Sequence, residues 1–404
     1  MKVLVVGVNT RPVVNSAKKL GYEVYSVSYY HPADLKADKC EYLINDKYHG
    51  HFKDNYDERK LISIANNYVD DVDYIFLCSG IFEGKYSKTP DWDVVGNSPK
   101  KIKRMSDKYY ITKKLKNLGY NVPTTYLAHN YTQLEKYLYN LKSIVVKPPC
   151  GSGGINVHTI SLNTFNDKIY YLLKNLEYPV IVQEMINSDS YSASFVGSDF
   201  ITFNKQIIKN NMYIGNITPY VPTLKIDKNS KYGKNGNSSK YNNSNSNKCN
   251  SHDNGAHIIN SFQEIIESFE LSGMNGIDFM IKNGAPIIIE INPRILGTFE
   301  TIELSSNKNL VKYILEHSNS KNQGVSQGNI KYSEIIKPKV QYIKRILFAE
   351  KRLISYIKKQ QNIFDIPMYG ATIEKNEPIA TVIGKNNSNE ISKAIDSISK
   401  MVVI

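Results

Sequence analysis

Apolar residues open the chain as a short run, Val3 to Val6, that stops at Gly7. A run of that length bounded by glycine predicts a buried strand from Lys2 to Val6 followed by a turn. Val13, Val14, Ala17 and Leu20 then recur at helical spacing until Gly21, which predicts a helix ended by a glycine. Glu23 to Ser28 predicts a second strand, Asp57 to Tyr68 a helix, and Tyr74 to Cys78 a buried strand. Strands and helices in alternation imply a βαβ layout, so residues 1–95 are expected to form a small Rossmann-like domain. Gly7 is followed by Val8-Asn9-Thr10-Arg11 and no further glycine, so dinucleotide binding is poorly supported. Asn9 and Arg11 leave two readings open: a plain strand-to-helix turn, or a grip on an anionic group at a helix start.

A chain of 404 residues exceeds what one core sustains, and the pattern divides it at about residues 96 and 331. The middle region, 96–330, contains a stretch, 228–255, built almost wholly of Asn, Ser, Lys and Gly. Such a stretch cannot bury enough apolar area to offset the entropy of ordering, and it is expected to be a disordered insertion. Residues 331–404 read as a small α+β domain with short strand-like pieces and a final helix.

The strongest constellation closes the middle region. Gly276-Ile277-Asp278-Phe279-Met280-Ile281 and Ile287-Ile288-Ile289-Glu290-Ile291-Asn292-Pro293-Arg294 read as two antiparallel strands joined around Asn283-Gly284. Alternation places Glu290, Asn292 and Arg294 on one face and Ile289 and Ile291 in the core. A two-residue loop would set Asp278 opposite Ile289 and turn its carboxylate away, whereas a loop of three or five residues sets it opposite Glu290. The odd loop is expected. Asp278, Glu290 and Asn292 then supply hard oxygen ligands for Mg²⁺, and Arg294 beside them suits a transferring phosphoryl group.

Composition changes this picture little. Hydrophobic residues make up 41% and charged residues 22%, which is ordinary for a soluble globular chain. The net charge of +13 raises a nucleic-acid reading, but lysine outnumbers arginine and is spread along the chain, so no specific nucleic-acid partner is expected. The four cysteines lie far apart, which excludes a local CxxC or zinc set and fits a reducing cytoplasm. No apolar run nears the ~20 residues needed to cross a bilayer, so neither membrane insertion nor export is expected.

The spacing of Asp278 and Glu290 and the run Glu290-Ile-Asn292-Pro-Arg294 resemble the magnesium signature of the ATP-grasp family. Upstream segments resemble the family's other motifs in order. Val145-Val146-Lys147 followed by Gly151-Ser152-Gly153-Gly154 reads as a strand and a glycine-rich loop whose N–H groups approach phosphate closely. Ser106-Asp107-Lys108 opens a helix, with Ser106 as the expected cap and Lys108 poorly placed against the helix dipole. The strand ending Gln183-Glu184-Met185-Ile186, followed by Asp189, resembles the family's adenine hinge and ribose contact, although Gln183 stands where glutamate is commoner.

The resemblance implies an α/β, partly α+β, chain: an N-terminal Rossmann-like domain, a central two-lobed ATP-grasp domain and a small C-terminal domain. It is similar to the archaeal branch related to biotin carboxylase, without a biotin-carrying Met-Lys-Met motif, so no biotin is expected on this chain. It implies ATP and Mg²⁺ (or Mn²⁺) as cofactors, with Lys108 and Lys147 on phosphates, Asp278, Glu290 and Asn292 on metal, and Arg294 and Lys147 in catalysis. The implied reaction is ADP-forming: a carboxylate is activated as an acyl phosphate and captured by an amine, both small molecules, in a cytoplasmic enzyme compatible with a homodimer. The rival reading is a non-catalytic ATP-binding sensor. Acceptor pockets are expected near Asn9 and Arg11, at the Cys78 to Phe82 turn and along Gly215 to Pro219.

Overall fold

The computed structural model describes residues 1–85, 88–151, 153–223, 251–322 and 336–403. Four parallel strands, β1 (Lys2–Gly7), β2 (Glu23–Ser28), β3 (Lys39–Tyr42) and β4 (Tyr74–Leu77), form the first sheet in the order β3-β2-β1-β4. Val3 to Val6 are buried because helices cover both faces of a parallel sheet. The strand at Lys39–Tyr42 has no apolar run to announce it, since it lies at the sheet edge and is only half-buried. Helix Arg11–Lys18 packs Val13, Val14 and Ala17 into one core with Phe299, Ile302, Leu310 and Ile314, so the first sheet is joined to the rest of the molecule through apolar contacts.

A second, antiparallel sheet forms a small lobe from β5 (Thr125–Ala128), β6 (Ser143–Lys147), β7 (His158–Ser161) and β8 (Val180–Glu184), in the order β5-β8-β6-β7. Leu134, Leu138 and Leu173 on its helices cover Ile144, Val146, Val180 and Val182.

The third sheet is the largest. It uses β9 (Ser190–Val196), β10 (Asp199–Lys209), β11 (Met212–Thr218), β12 (Met274–Lys282), β13 (Ala285–Asn292) and β14 (Tyr342–Phe348). The chain then adds β15 (Leu353–Ser355), β16 (Ile363–Phe364), β17 (Thr372–Ile373), β18 (Pro378–Lys385) and β19 (Val402–Val403). The eight-stranded order is β13-β12-β9-β10-β11-β14-β18-β16, so strands from the terminal region continue the sheet of the middle region; β17, β15 and β19 form a separate small sheet. Helix Ser251–Ser268 lays Ile258, Phe262, Ile265 and Ile266 against Phe195, Phe203, Phe279, Ile288 and Ile291 of the large sheet. Residues 251–255 of the Asn- and Ser-rich stretch thus begin a helix, and 228–250 lie outside the described residues. No helix among the described residues is long and apolar enough to cross a membrane.

The hairpin corrects the expected loop. Lys282 pairs with Ala285, leaving a two-residue turn in which Asn283 and Gly284 adopt φ of 54° and 82°, the left-handed pair that tight hairpins favour. The parity is changed further along the strand instead: Phe279 pairs with Ile288, Asp278 with Glu290, and Ile289 is the extra residue of a β-bulge. Ile288 and Ile291 enter the core, while Ile289 is half-buried rather than inward as alternation alone required.

Phe279 is fully buried, with its ring centroid 5.2 Å from that of Phe262, 5.7 Å from Tyr191 and 5.8 Å from Phe203. Phe279→Ala is predicted to lower stability by about 3–5 kcal/mol in chemical denaturation. A loss under about 1 kcal/mol would mean that these rings do not form the packed floor beneath Asp278.

Candidate active site

The bulge brings Asp278 and Glu290 side by side on one face of the large sheet, with Asn292 beyond them. Asp278 Oδ2 accepts from Asn292 Nδ2 at 3.0 Å, and Oδ1 accepts from Gln206 Nε2 at 2.9 Å. Gln206 lies two strands away on β10 and is itself held by Ser190, whose hydroxyl donates to its Oε1 at 2.5 Å. Burial, reinforced by the negative charge of Glu290, pushes the Asp278 carboxyl up to about 7. Burial also acts to raise Glu290, but Lys108 and Lys147, with Arg294 behind them, outweigh it and hold that carboxyl below the usual carboxylate range.

Lys108 reaches this pair from the first turn of helix Lys108–Asn117 and forms an ion pair with Glu290. The helix is capped by Asp107, which accepts from the backbone N–H of Tyr110 at 2.9 Å, and not by Ser106, which ends the preceding helix Pro99–Met105. The expected cap therefore shifts by one residue. The shift leaves Lys108 at the first helical position, where its own N–H donates to the carbonyl of Pro149 at 2.9 Å. That bond ties the helix start to the chain entering the glycine-rich loop.

Lys147 ends β6 and is buried, its ammonium donating to Gln183 Oε1 at 3.0 Å. Gln183 is fixed in turn, since its Nε2 donates to Thr125 Oγ1 at 2.9 Å. Burial first, and Lys108 second, bring Lys147 down to about 8, with Glu290 opposing. A cation held this way, with a neutral partner and a second cation near it, is short of negative charge, which an anion would supply.

The loop after Lys147 carries three glycines with positive φ: 116° at Gly151, 74° at Gly153 and 77° at Gly154. A Cβ on Gly154 would lie 2.4 Å from the Asn211 carbonyl, so only glycine lets this loop rest on the β10–β11 turn. Ser152 lies outside the described residues. At the other edge of the small lobe, Glu184 ends β8, pairs with Lys282 of β12 and accepts from Thr124 N–H at 3.3 Å. Met185 is exposed and Ile186 half-buried just beyond the strand. Asp189 is exposed and ion-paired with Lys205 at 2.6 Å.

Arg294 follows β13 and is nearly enclosed. Its Nε donates to Glu83 Oε1 at 2.8 Å, one terminal nitrogen to Asn292 Oδ1 at 3.1 Å and the other to the Ile295 carbonyl at 3.1 Å. Glu83 was not singled out in the sequence; its only local signal is a carboxylate directly after the apolar pair Ile81-Phe82 in the turn that follows β4. Phe82 adopts φ of 60°, a left-handed conformation that costs a bulky residue about 1–2 kcal/mol, and is fully buried edge-on against Trp92.

The acceptor regions anticipated from sequence fare differently. Arg11 is 1% exposed, pairing with both oxygens of Glu300 at 2.6 and 2.7 Å and with Asp365 at 2.7 Å, so it is a structural clasp that burial closes to a ligand. Asn9 joins the same cluster through Asp365 at 2.9 Å. Asn216 and Thr218 are fully buried in a hydroxyl and amide network with Asn204 and Thr301, also closed to a ligand. The turn after β4 does open toward Arg294 through Glu83.

The donor set fits Mg²⁺: two carboxylates and an amide oxygen on one face, where burial first and the charge of Glu290 second disfavour the ionised Asp278 that a cation would stabilise. Among the described residues no group of three or more His, Cys, Asp or Glu side chains gathers to hold a metal. Phosphate oxygens would therefore have to complete the coordination, as Mg²⁺ commonly requires.

The sequence pattern of the ATP-grasp domain matches residues 105–232 and 226–298. Uncharacterized protein MJ0776 of Methanocaldococcus jannaschii is 49% identical over 396 residues, covering 98% of this chain and 91% of that protein. The phosphoribosylamine–glycine ligase of Thermotoga maritima shares the fold with a TM-score of 0.64 at 15% identity, over 100% of this chain and 97% of its own. The biotin carboxylase domain dimer of Hydrogenobacter thermophilus 2-oxoglutarate carboxylase, solved with MgADP, ADP and bicarbonate, gives a TM-score of 0.65 at 15% identity over 100% and 90%. N5-carboxyaminoimidazole synthetase of Staphylococcus aureus, complexed with ADP, gives 0.62 at 15% over 99% and 96%.

Proposed function

The chain belongs to the ATP-grasp family, and from that premise we propose that it is an ATP-dependent carboxylate ligase that forms ADP. The observation that carries the reading is the pairing of Asp278 with Glu290 within a ring of Lys108, Lys147 and Arg294. Two anions ringed by three cations suit a polyphosphate and its divalent ion, and they leave a guanidinium over for charge that develops during transfer. Structural neighbours that are ligases and carboxylases, two of them named with ADP, support it.

Asp278, Glu290 and Asn292 would hold the Mg²⁺, which when bound neutralises phosphate charge. Lys108, Lys147 and the backbone N–H groups of Gly151 to Gly154 would cradle the phosphates. Gln183 to Ile186, chiefly Met185 and Ile186, would hold the adenine and Asp189 the ribose. A substrate carboxylate oxygen attacks the γ-phosphorus as its bond to ADP breaks, giving an acyl phosphate. An amine nitrogen then attacks the acyl carbon, inorganic phosphate leaves, and the nitrogen loses its proton. Arg294 stabilises the equatorial oxygens during the first transfer, and catalysis rests on positioning and charge neutralisation.

Two outcomes are expected. In a screen of small carboxylates with amino acids and polyamines, read by stimulated ADP release and mass spectrometry of product, Glu290→Ala should lower turnover at least about a hundredfold. Near-normal ADP release with the true substrates would remove Glu290 from the site. The second outcome concerns pH. Phosphates bind the ammonium form of Lys147, and that form is lost as pH rises through about 8, so ADP affinity should fall above that pH. The fall should be about fivefold between pH 8 and pH 9, and Gln183→Glu, which adds a negative charge beside the ammonium, should move it to higher pH. Affinity that stays level to pH 9.5 in the unmodified protein would contradict Lys147 as a phosphate ligand.

A further inference from the structure

Arg294 is the group on which the proposed phosphoryl transfer depends most, and it is held from the N-terminal sheet. Glu83 sits in the turn that follows β4, at the carboxyl ends of β1 and β4, where the strand order of the first sheet reverses and ligands of such sheets bind. Its side chain is 6% exposed and that of Arg294 is 9% exposed. One oxygen of Glu83 accepts the Gly80 N–H at 2.6 Å, which closes the turn on itself, and the other accepts Arg294 Nε at 2.8 Å. The left-handed, fully buried Phe82 immediately before it sets the direction of that side chain. Strain of this kind persists where the surroundings impose it and clusters at working sites.

Arg294 spends three of its five N–H groups on Glu83, Asn292 and the Ile295 carbonyl. Each terminal nitrogen keeps one further N–H for a ligand. The plane of the guanidinium is thus fixed by an anion on its Nε edge, which leaves the two terminal nitrogens to face a phosphoryl group.

We propose that Glu83 is the positioning residue for Arg294: it does not touch the reacting atoms, and it aims the guanidinium at the equatorial oxygens of the transferring phosphoryl group. The inference rests on the reading of Arg294 given above. It also makes the turn after β4, which belongs to the N-terminal sheet, part of the phosphoryl-transfer apparatus of the middle region. A carboxylate that merely stapled two parts of the molecule would affect stability and nucleotide binding alike. A positioning residue affects recognition of the transition state and leaves ground-state nucleotide binding alone.

The test compares the affinity of ADP alone with that of ADP plus aluminium fluoride, both with Mg²⁺, in the unmodified protein, Glu83→Gln, Arg294→Lys and the double variant. The mimic needs no knowledge of the natural substrates. Glu83→Gln should leave ADP affinity within about twofold and remove about tenfold or more of the gain conferred by aluminium fluoride. The double variant should lose little beyond Arg294→Lys, because the two residues act as one unit. Glu83→Asp, which keeps the charge, should recover part of the gain. A Glu83→Gln variant with the full gain, beside an Arg294→Lys variant without it, would overturn the role of Glu83 alone. An Arg294→Lys variant that keeps the gain would overturn the phosphoryl-transfer reading and this inference together. Should Glu83→Gln not fold, hydrogen exchange at Arg294 Nε in the unmodified chain decides. Protection that survives binding of the mimic supports the pairing, and free exchange overturns it.

Discussion

The structure turns on a repulsion. Asp278 and Glu290 stand opposite each other on paired strands, enclosed enough that burial drives one carboxyl up to about 7 while three cations hold the other below the usual carboxylate range. Two ionised carboxylates in contact on a sheet are unfavourable unless positive charge is supplied. Lys108 supplies it by direct contact, Lys147 and Arg294 act on Glu290 through their charge, and the oxygen-rich face suits a divalent ion. The aromatic floor formed by Phe279, Phe262, Phe203 and Tyr191 keeps that face rigid.

Each cation comes from a different part of the chain, which is why the fold needs its parts. Lys147 is delivered by the small lobe, Lys108 by a helix tied to the glycine-rich loop, and Arg294 by the strand end that Glu83 grips from the first sheet. A second charged cluster joins Arg11 to Asp34, Glu300 and Asp365. It is a buried set of charges whose members come from the helix Arg11–Lys18, the segment between β2 and β3, the helix Phe299–Ser306 and the terminal region. Breaking one partner would leave the others buried and unpaired, which is strongly destabilising. The amide and hydroxyl network of Asn204, Asn216, Thr218 and Thr301, extended by Ser194 and Tyr213, ties that helix to the large sheet.

Much of this was legible in the sequence, and the division follows range. Val3 to Val6, the turn at Gly7, and the run from Glu290 to Arg294 carry their information in local alternation, so strand identity and the polar face could be read directly. Lys147 ahead of a glycine-rich loop was equally local. The bulge at Ile289 was not legible, because Ile287 to Ile289 are alike and only the packing of Ile288 and Ile291 beneath the helix Ser251–Ser268 selects the extra residue. The expected pairing of Asp278 with Glu290 therefore holds, but it is reached through the bulge and not through an odd loop, since Asn283-Gly284 makes a two-residue turn. Arg11 looked available because its three carboxylates lie between 23 and 354 positions away along the chain. Glu83 was hidden for the same reason, since nothing in its own segment points to a partner 211 residues on.

The central claim is that this polar face takes a divalent ion only as a partner of nucleotide phosphates, since the described residues contribute two carboxylates and an amide oxygen to it. Electron-spin titration of Mn²⁺ tests it directly, with and without ADP. The account predicts tight uptake of Mn²⁺ when ADP is present, weak uptake when it is absent, and displacement by excess Mg²⁺. Equal uptake in both cases, or none in either, would contradict it.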